Sequence, residues 1–226
     1  YDLDTGERKK TLTAGKSCAD FLFCPRSQKL AVLRPGRVAI SIIDAASDTI
    51  LNSISLPGVL RAMSWHPDCR LLATTDASQL GIMIWDTVSA TTLRRIEGPE
   101  NAPVSLAFSH DGQLLASAGW DIKTRLWNWA SGQQILDIVG GGHVKFSADD
   151  RKLLIHSGGD GGGEPEFLGI LEVATARELL VMNEPTAGAN GGERVSFSQD
   201  GSVVAYTWKD QLKLREPSTG REIAVK

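Results

Sequence analysis

Residues 103 to 128 read PVSLAFSHDGQLLASAGWDIKTRLWN. Two mostly apolar runs, 104–108 and 114–118, and an alternating one, 124–127, are separated by Ser109-His110-Asp111-Gly112 and Gly119-Trp120-Asp121. Asp-Gly closes a tight turn because glycine accepts a positive φ. Runs of this length between turn signals predict strand, turn, strand, turn, strand. Such a unit cannot bury both of its faces alone, so neighbours of the same kind are expected.

Copies are present along the chain. Aligned on Phe108, they place Phe23, Trp65, Phe146 and Phe197 at the end of a first strand. Seven residues later stand Leu30, Leu72, Leu115, Leu153 and Val204, each in a second strand. A third strand ends in a large residue followed, with one exception, by an acid: Tyr1-Asp2, Ile43-Asp44, Trp85-Asp86, Trp127-Asn128, Leu171-Glu172 and Arg215-Glu216, with the amide of Asn128 as that exception. These pairs lie 42, 42, 42, 44 and 44 residues apart. A turn position follows five residues after the large residue, at Asp48, Ala90, Gly132 and Gly220 among others, and then a more polar fourth strand. Four strands per roughly 42 residues, with no helical stretch between, predict an all-β propeller of four-stranded antiparallel blades.

The Trp-Asp that closes a third strand resembles the hallmark of the WD-repeat β-propeller family. It is intact at Trp85-Asp86 and nearly so at Trp127-Asn128. The resemblance covers essentially the whole chain, 1–226, as five repeats and part of a sixth. The expected units are 1–13 (the tail of a preceding blade), then blades at 17–56, 59–98, 102–140, 142–183 with long loops, and 192–226. Two closures fit: five blades closing on themselves, or part of a ring of about seven. A chain that opens in mid-blade favours the second. The family also implies a hydrogen-bonded group inside each blade. Its candidates are Ser117, Asp121 and Trp127 in the third blade, Thr74 and Trp85 in the second, and Asp210 in the fifth.

What the residues say about chemistry is mostly exclusion. The net charge of -3 gives no overall attraction to nucleic acid or acidic lipid. No stretch approaches the ~18 apolar residues of a membrane span. Cys18, Cys24 and Cys69 are odd in number and lack metal-ligand spacing, which predicts reduced thiols and a cytoplasmic setting. Gly15-Lys16-Ser17 lacks the upstream glycine of a phosphate loop, because that position is Lys10. The glycine-rich stretch 158–163 has no basic partner nearby in sequence. His66, His110, His143 and His156 are scattered and read as turn or strand residues rather than a zinc site. No activated nucleophile is present, and Asp149-Asp150, Asp44 and Asp48 read as turn carboxylates. No catalytic residue, cofactor or metal is expected.

The expected role is that of a non-enzymatic scaffold binding another protein or peptide, which is what the family resemblance implies. The alternatives are a docking domain of a larger enzyme, or a propeller enzyme with a site in its central channel. Trp120 sits in the turn after a second strand, where a tryptophan can anchor a partner. The same turn elsewhere carries Arg34, Arg37 and Lys209. In a propeller these turns share one face with the connections between blades. The expected partner surface is therefore Trp120, Arg34, Arg37 and Lys209.

Overall fold

In a computed structural model, residues 18–76, 81–97, 103–157, 166–173, 177–184, 195–208 and 211–223 are described. Every regular element among them is a strand. The first blade is Asp20–Phe23 (β1), Lys29–Leu33 (β2), Ala39–Asp44 (β3) and Thr49–Ser55 (β4). The second is Met63–Trp65 (β5), Leu71–Asp76 (β6), Gly81–Asp86 (β7) and Thr91–Glu97 (β8). The third is Pro103–Phe108 (β9), Leu114–Gly119 (β10), Lys123–Asn128 (β11) and Gln133–Val139 (β12). The fourth is His143–Phe146 (β13), Lys152–Ser157 (β14), Glu166–Glu172 (β15) and Arg177–Glu184 (β16). The fifth is Val195–Phe197 (β17), Val204–Trp208 (β18), Gln211–Arg215 (β19) and Glu222–Ile223 (β20). Each blade is one four-stranded sheet whose strands pair antiparallel in chain order.

Burial explains the sequence pattern. The two middle strands of a blade are covered on both faces by neighbouring blades. They therefore read as nearly continuous apolar runs, such as KLAVL in β2 and GIMIWD in β7. Adjacent residues point to opposite neighbours. Leu72 and Trp85 pack back on Ala31, Leu33, Ile40 and Ile42 of the first blade. Ala73 and Ile84 pack forward on Leu106, Phe108 and Trp127 of the third. The same relay joins the third blade to the fourth through Ala116, Leu126, Val144 and Leu153. It joins the fourth to the fifth through Leu154, Ile170, Val204 and Tyr206. Outer strands face water and alternate more freely, as in the matching burial of β4 and β8. In the first four blades a register shift falls in the third strand, at Ile42/Ile43, Ile84/Trp85, Leu126/Trp127 and Ile170/Leu171.

Antiparallel order fixes two ends. One end carries the turns after first strands and after third strands. The other carries the turns after second strands and the connections to the next blade. The expected turn after the third strand is present as left-handed backbone at Asp48, Ala90, Gly132 and Gly220.

One expectation is overturned. Cys24 and Cys69 are not reduced thiols but a disulfide, with Cα atoms 5.7 Å apart. They stand 45 residues apart in the chain, so spacing alone does not reveal the pair. Packing of the second blade against the first brings them together. Cys18 is exposed and free.

Candidate functional site

The residues singled out in the sequence separate into an internal group and a surface group. Inside the third blade, Trp127 is 2% exposed and donates its Nε1–H to Ser117 Oγ at 2.9 Å. Inside the second, Trp85 Nε1–H donates to Thr74 Oγ1 at 2.8 Å. Each bond ties a third strand to its second strand and satisfies the one polar atom of a buried indole. Asp121 does not join the Ser117–Trp127 pair. Arg125 Nη2 lies 2.7 Å from Asp121 Oδ2, and both side chains are almost fully buried. Arg125 Nε also lies 3.7 Å from Asp137, which Lys123 approaches at 3.6 Å. Arg125 is a buried charged residue of this group that was not singled out from sequence. Its signal was a basic residue in the middle of a third strand, between Thr124 and Leu126, where the second blade has Met83. Asp210 and Lys209 lie outside the described residues, as do 1–13, Gly15-Lys16-Ser17 and 158–163.

Asp86 closes the second blade's third strand. Arg70 donates to its Oδ2 from Nε at 2.9 Å and Nη2 at 2.6 Å, which holds the carboxyl below its ordinary range. Asp86 Oδ1 meanwhile accepts the Val88 and Ser89 N–H groups, so the acid of Trp-Asp builds the following turn.

At the surface, Trp120 is 57% exposed in the turn between β10 and β11. The Arg61 guanidinium carbon sits 4.2 Å above its ring, reaching across from the second blade. Ile122 and Val139 are exposed beside it, and the Gly140 N–H donates to Ile122 O at 2.9 Å. Val59 is exposed on the connection that leads to Arg61. Arg34 and Arg37 are placed differently. Arg34 Nε donates to Ser41 Oγ at 2.8 Å. Arg37 Nε donates to Leu60 O at 2.8 Å, tying the first blade's turn to the next connection. Arg61, not singled out from sequence, is the cation that meets Trp120. Its position before a short first strand gave no hint of that.

The first strands line an open cleft of about 990 Å³. Its wall includes Leu22, Met63, Ala107 and Val144, and its polar members include Lys145, His143, His110 and Ser105. Asp20, the acidic exception among the first strands, accepts the Phe21 N–H and is not in that wall. His143 stands opposite His156 in the β13–β14 ladder. Among the described residues no three His, Cys, Asp or Glu side chains are grouped to hold a metal. No helix among them is long and apolar enough to cross a membrane.

Stacked four-stranded blades, each relaying its core to the next, define a repeat β-propeller architecture. The WD domain, G-beta repeat, matches residues 90–128, which span the third blade's reference stretch. Through this stretch the chain is similar to WD-repeat proteins. It is similar to the guanine nucleotide-binding protein subunit beta of Schizosaccharomyces pombe, 42% identical over 45 residues, covering 20% of this chain and 15% of that protein. It is also similar to an uncharacterized WD repeat-containing protein of Synechocystis, 32% identical over 107 residues, covering 46% and 31%. A longer match reaches the U3 small nucleolar RNA-associated protein 21 of Saccharomyces cerevisiae, 28% identical over 126 residues, covering 54% and 13%. The chain thus spans less than a third of the length of each of these relatives. In fold it is similar to Kuenenia stuttgartiensis hydrazine synthase. That likeness has a TM-score of 0.72 at 15% identity and covers 98% of this chain and 61% of the other.

Proposed function

We propose that the chain is a non-enzymatic scaffold that binds another protein or peptide through the end of the blades bearing Trp120. The observation that carries this reading is Trp120 itself. A tryptophan 57% exposed, braced by a guanidinium and flanked by exposed Ile122 and Val139, is a rigid amphipathic anchor. Such aromatic and Arg pairs are enriched among residues that dominate binding energy. The chemistry favours a partner segment that pairs an apolar side chain with a carboxylate, the first for the Trp120 face and the second for Arg61. Names of relatives lend support: a G-protein subunit, and, at 37% identity over 68 residues, a ribosome assembly protein of Chaetomium thermophilum. No nucleic acid or membrane enters this reading. The cytoplasmic placement expected from free thiols rests on a premise that the Cys24–Cys69 disulfide removes.

The test is an array of acidic peptides carrying leucine, phenylalanine or tyrosine, followed by titration of those that bind. Trp120→Ala should weaken binding about 30-fold, the ~2 kcal/mol of a hot spot. Its melting temperature should stay that of the parent, because the indole is not part of a core. Full affinity in the folded variant would remove Trp120 from the site.

A further inference from the structure

We infer that Cys24 and Cys69 are a built-in covalent latch between the first two blades, completed by an oxidising step during folding. Cys69 occupies a turn position that recurs from blade to blade. In four blades the turn after the first strand closes with a bond from its fourth residue to its first: Cys69 N–H to His66 O, Gly112 to Ser109, Asp150 to Ser147, Gly201 to Ser198. That fourth residue has φ between 57° and 76° in all four. Glycine is the natural occupant, because an L side chain there is strained. It is glycine in the third and fifth blades, but cysteine in the second and aspartate in the fourth.

Both exceptions reach back to the preceding blade. Asp150 accepts the His110 N–H at 2.8 Å, the Asp111 N–H at 2.9 Å, and pairs with His110 Nδ1 at 2.8 Å. Cys69 bonds to Cys24, which occupies the turn's opening position, the place of Ser109, Ser147 and Ser198 in later blades. The glycine positions make backbone latches instead. His66 Nε2 meets Gly112 O at 3.1 Å, and Lys152 Nζ donates to Gly201 O at 3.0 Å. A strained non-glycine residue therefore stands where its side chain contributes the bond between blades. At the first junction that bond is covalent, reinforced by Lys29 Nζ donating to Cys69 O at 2.9 Å.

The chemistry balances as thiol–disulfide exchange. The Cys24 and Cys69 thiols lose two protons and two electrons to form one S–S bond. An incoming protein disulfide, of the thiol-oxidoreductase class, takes both and leaves as two thiols. Cys24 and Cys69 are 3% and 5% exposed once the blades dock, so the exchange belongs to folding. The finished bond is then shielded from small thiols, while exposed Cys18 remains a thiol.

The reduced, denatured chain should be refolded in a glutathione redox mixture, alkylated and mapped without reduction. Three pairings are open to three cysteines. The expected product is the Cys24–Cys69 cystine alone, with Cys18 alkylated. Free thiols at 24 and 69, or a random mixture of pairings, would overturn the inference. Cys69→Gly adds a test by sign. Glycine relieves the left-handed backbone, so if the thiols were free this variant would melt higher than the parent. With the latch in place it should melt roughly 10 °C lower than the oxidised parent, and added reductant should leave it unchanged.

Discussion

At the end of the blades that holds the turns after first strands, all four described junctions carry a bond from one blade to the next. They run from the Cys24–Cys69 disulfide through His66 and His110 to Lys152. At the opposite end, the described residues include an exposed tryptophan, with Ile122, Val139 and Val59 exposed around it. The same four-stranded unit builds both. The difference shows that a repeat can separate stiffness from recognition by end. Turns at the latched end are constrained by the neighbouring blade, so their side chains are committed. At the other end Arg37 reaches Leu60 of the next connection and Arg61 covers one face of Trp120, yet the indole stays 57% exposed and available to a partner.

Two glycines measure the contrast. Gly112, at φ +76°, lies at the latched end, and a Cβ there would sit 2.5 Å from His66 Nε2. His66 cannot easily yield, since its ring is wedged edge-on against Phe108 and Trp129, at 5.1 and 5.3 Å between centroids. Trp129 Nε1 also donates to Gly112 O at 2.7 Å. Gly36, at φ +85°, lies at the open end with nothing within 4 Å of its Cβ position. Gly112→Ala should therefore cost about 3 kcal/mol, combining backbone strain with a clash. Gly36→Ala should cost only the strain, about 1 kcal/mol. Urea unfolding of both variants checks this, and equal losses would dissolve the distinction between the ends.

Asp150 provides the next smaller effect. Asp150→Ala keeps the left-handed strain and loses the bonds to His110 and Asp111, so a loss of about 1–2 kcal/mol is expected. The pair is discounted because the His110 side chain is 54% exposed. Asp150→Gly should fall between the two, since it relieves strain while losing the same bonds. Because both variants lose the same bonds, thermal melts that rank Ala above Gly would show that the left-handed strain at Asp150, rather than the latch, is misassigned.

How much of this was legible follows from what each feature depends on. The strands and their phase came from a period, and Phe108, Leu115 and Trp127 fall where the period puts them, all buried. The pairing of Trp127 with Ser117 rests on local register, since both belong to adjacent strands of one hairpin. Contacts between blades depend on docking that no local pattern encodes. His66 and His110 were recognisable as turn residues, yet their bonds reach residues 46 and 40 positions away. Cys69 and Asp150 carried an available clue: each replaces the glycine of an aligned turn. A repeat that departs from its own consensus at a strained position points to a bond made elsewhere. Arg61 over Trp120 had no such marker, because its turn partner lies in another repeat.

The smallest expected effect is on pH, and it too belongs to the latched end. In three of its turns an aspartate accepts a hydrogen bond from the serine hydroxyl that opens the turn. Asp111 accepts the Gln113 N–H and Ser109 Oγ–H, Asp149 the Ser147 Oγ–H and Arg151 N–H. Asp200 accepts the Ser198 Oγ–H, the Ser202 N–H and the Ser202 Oγ–H. Donors aimed at the ionised form lower all three carboxyls, Asp200 to about 2. A carboxyl whose folded value lies below its unfolded value binds protons more readily when the chain is unfolded. Its stabilisation is thus complete above the ordinary aspartate value near 3.8 and is lost as pH falls toward the folded value. Melting temperature should hold level from pH 7 to about 5 and decline between about 4 and 2. Asp200→Asn should flatten part of that decline while leaving Trp120-dependent peptide binding at pH 7 untouched. A decline equally steep in the variant would mean that the acid sensitivity arises elsewhere, and the turn at Ser198 would lose its place in the latched end's electrostatics.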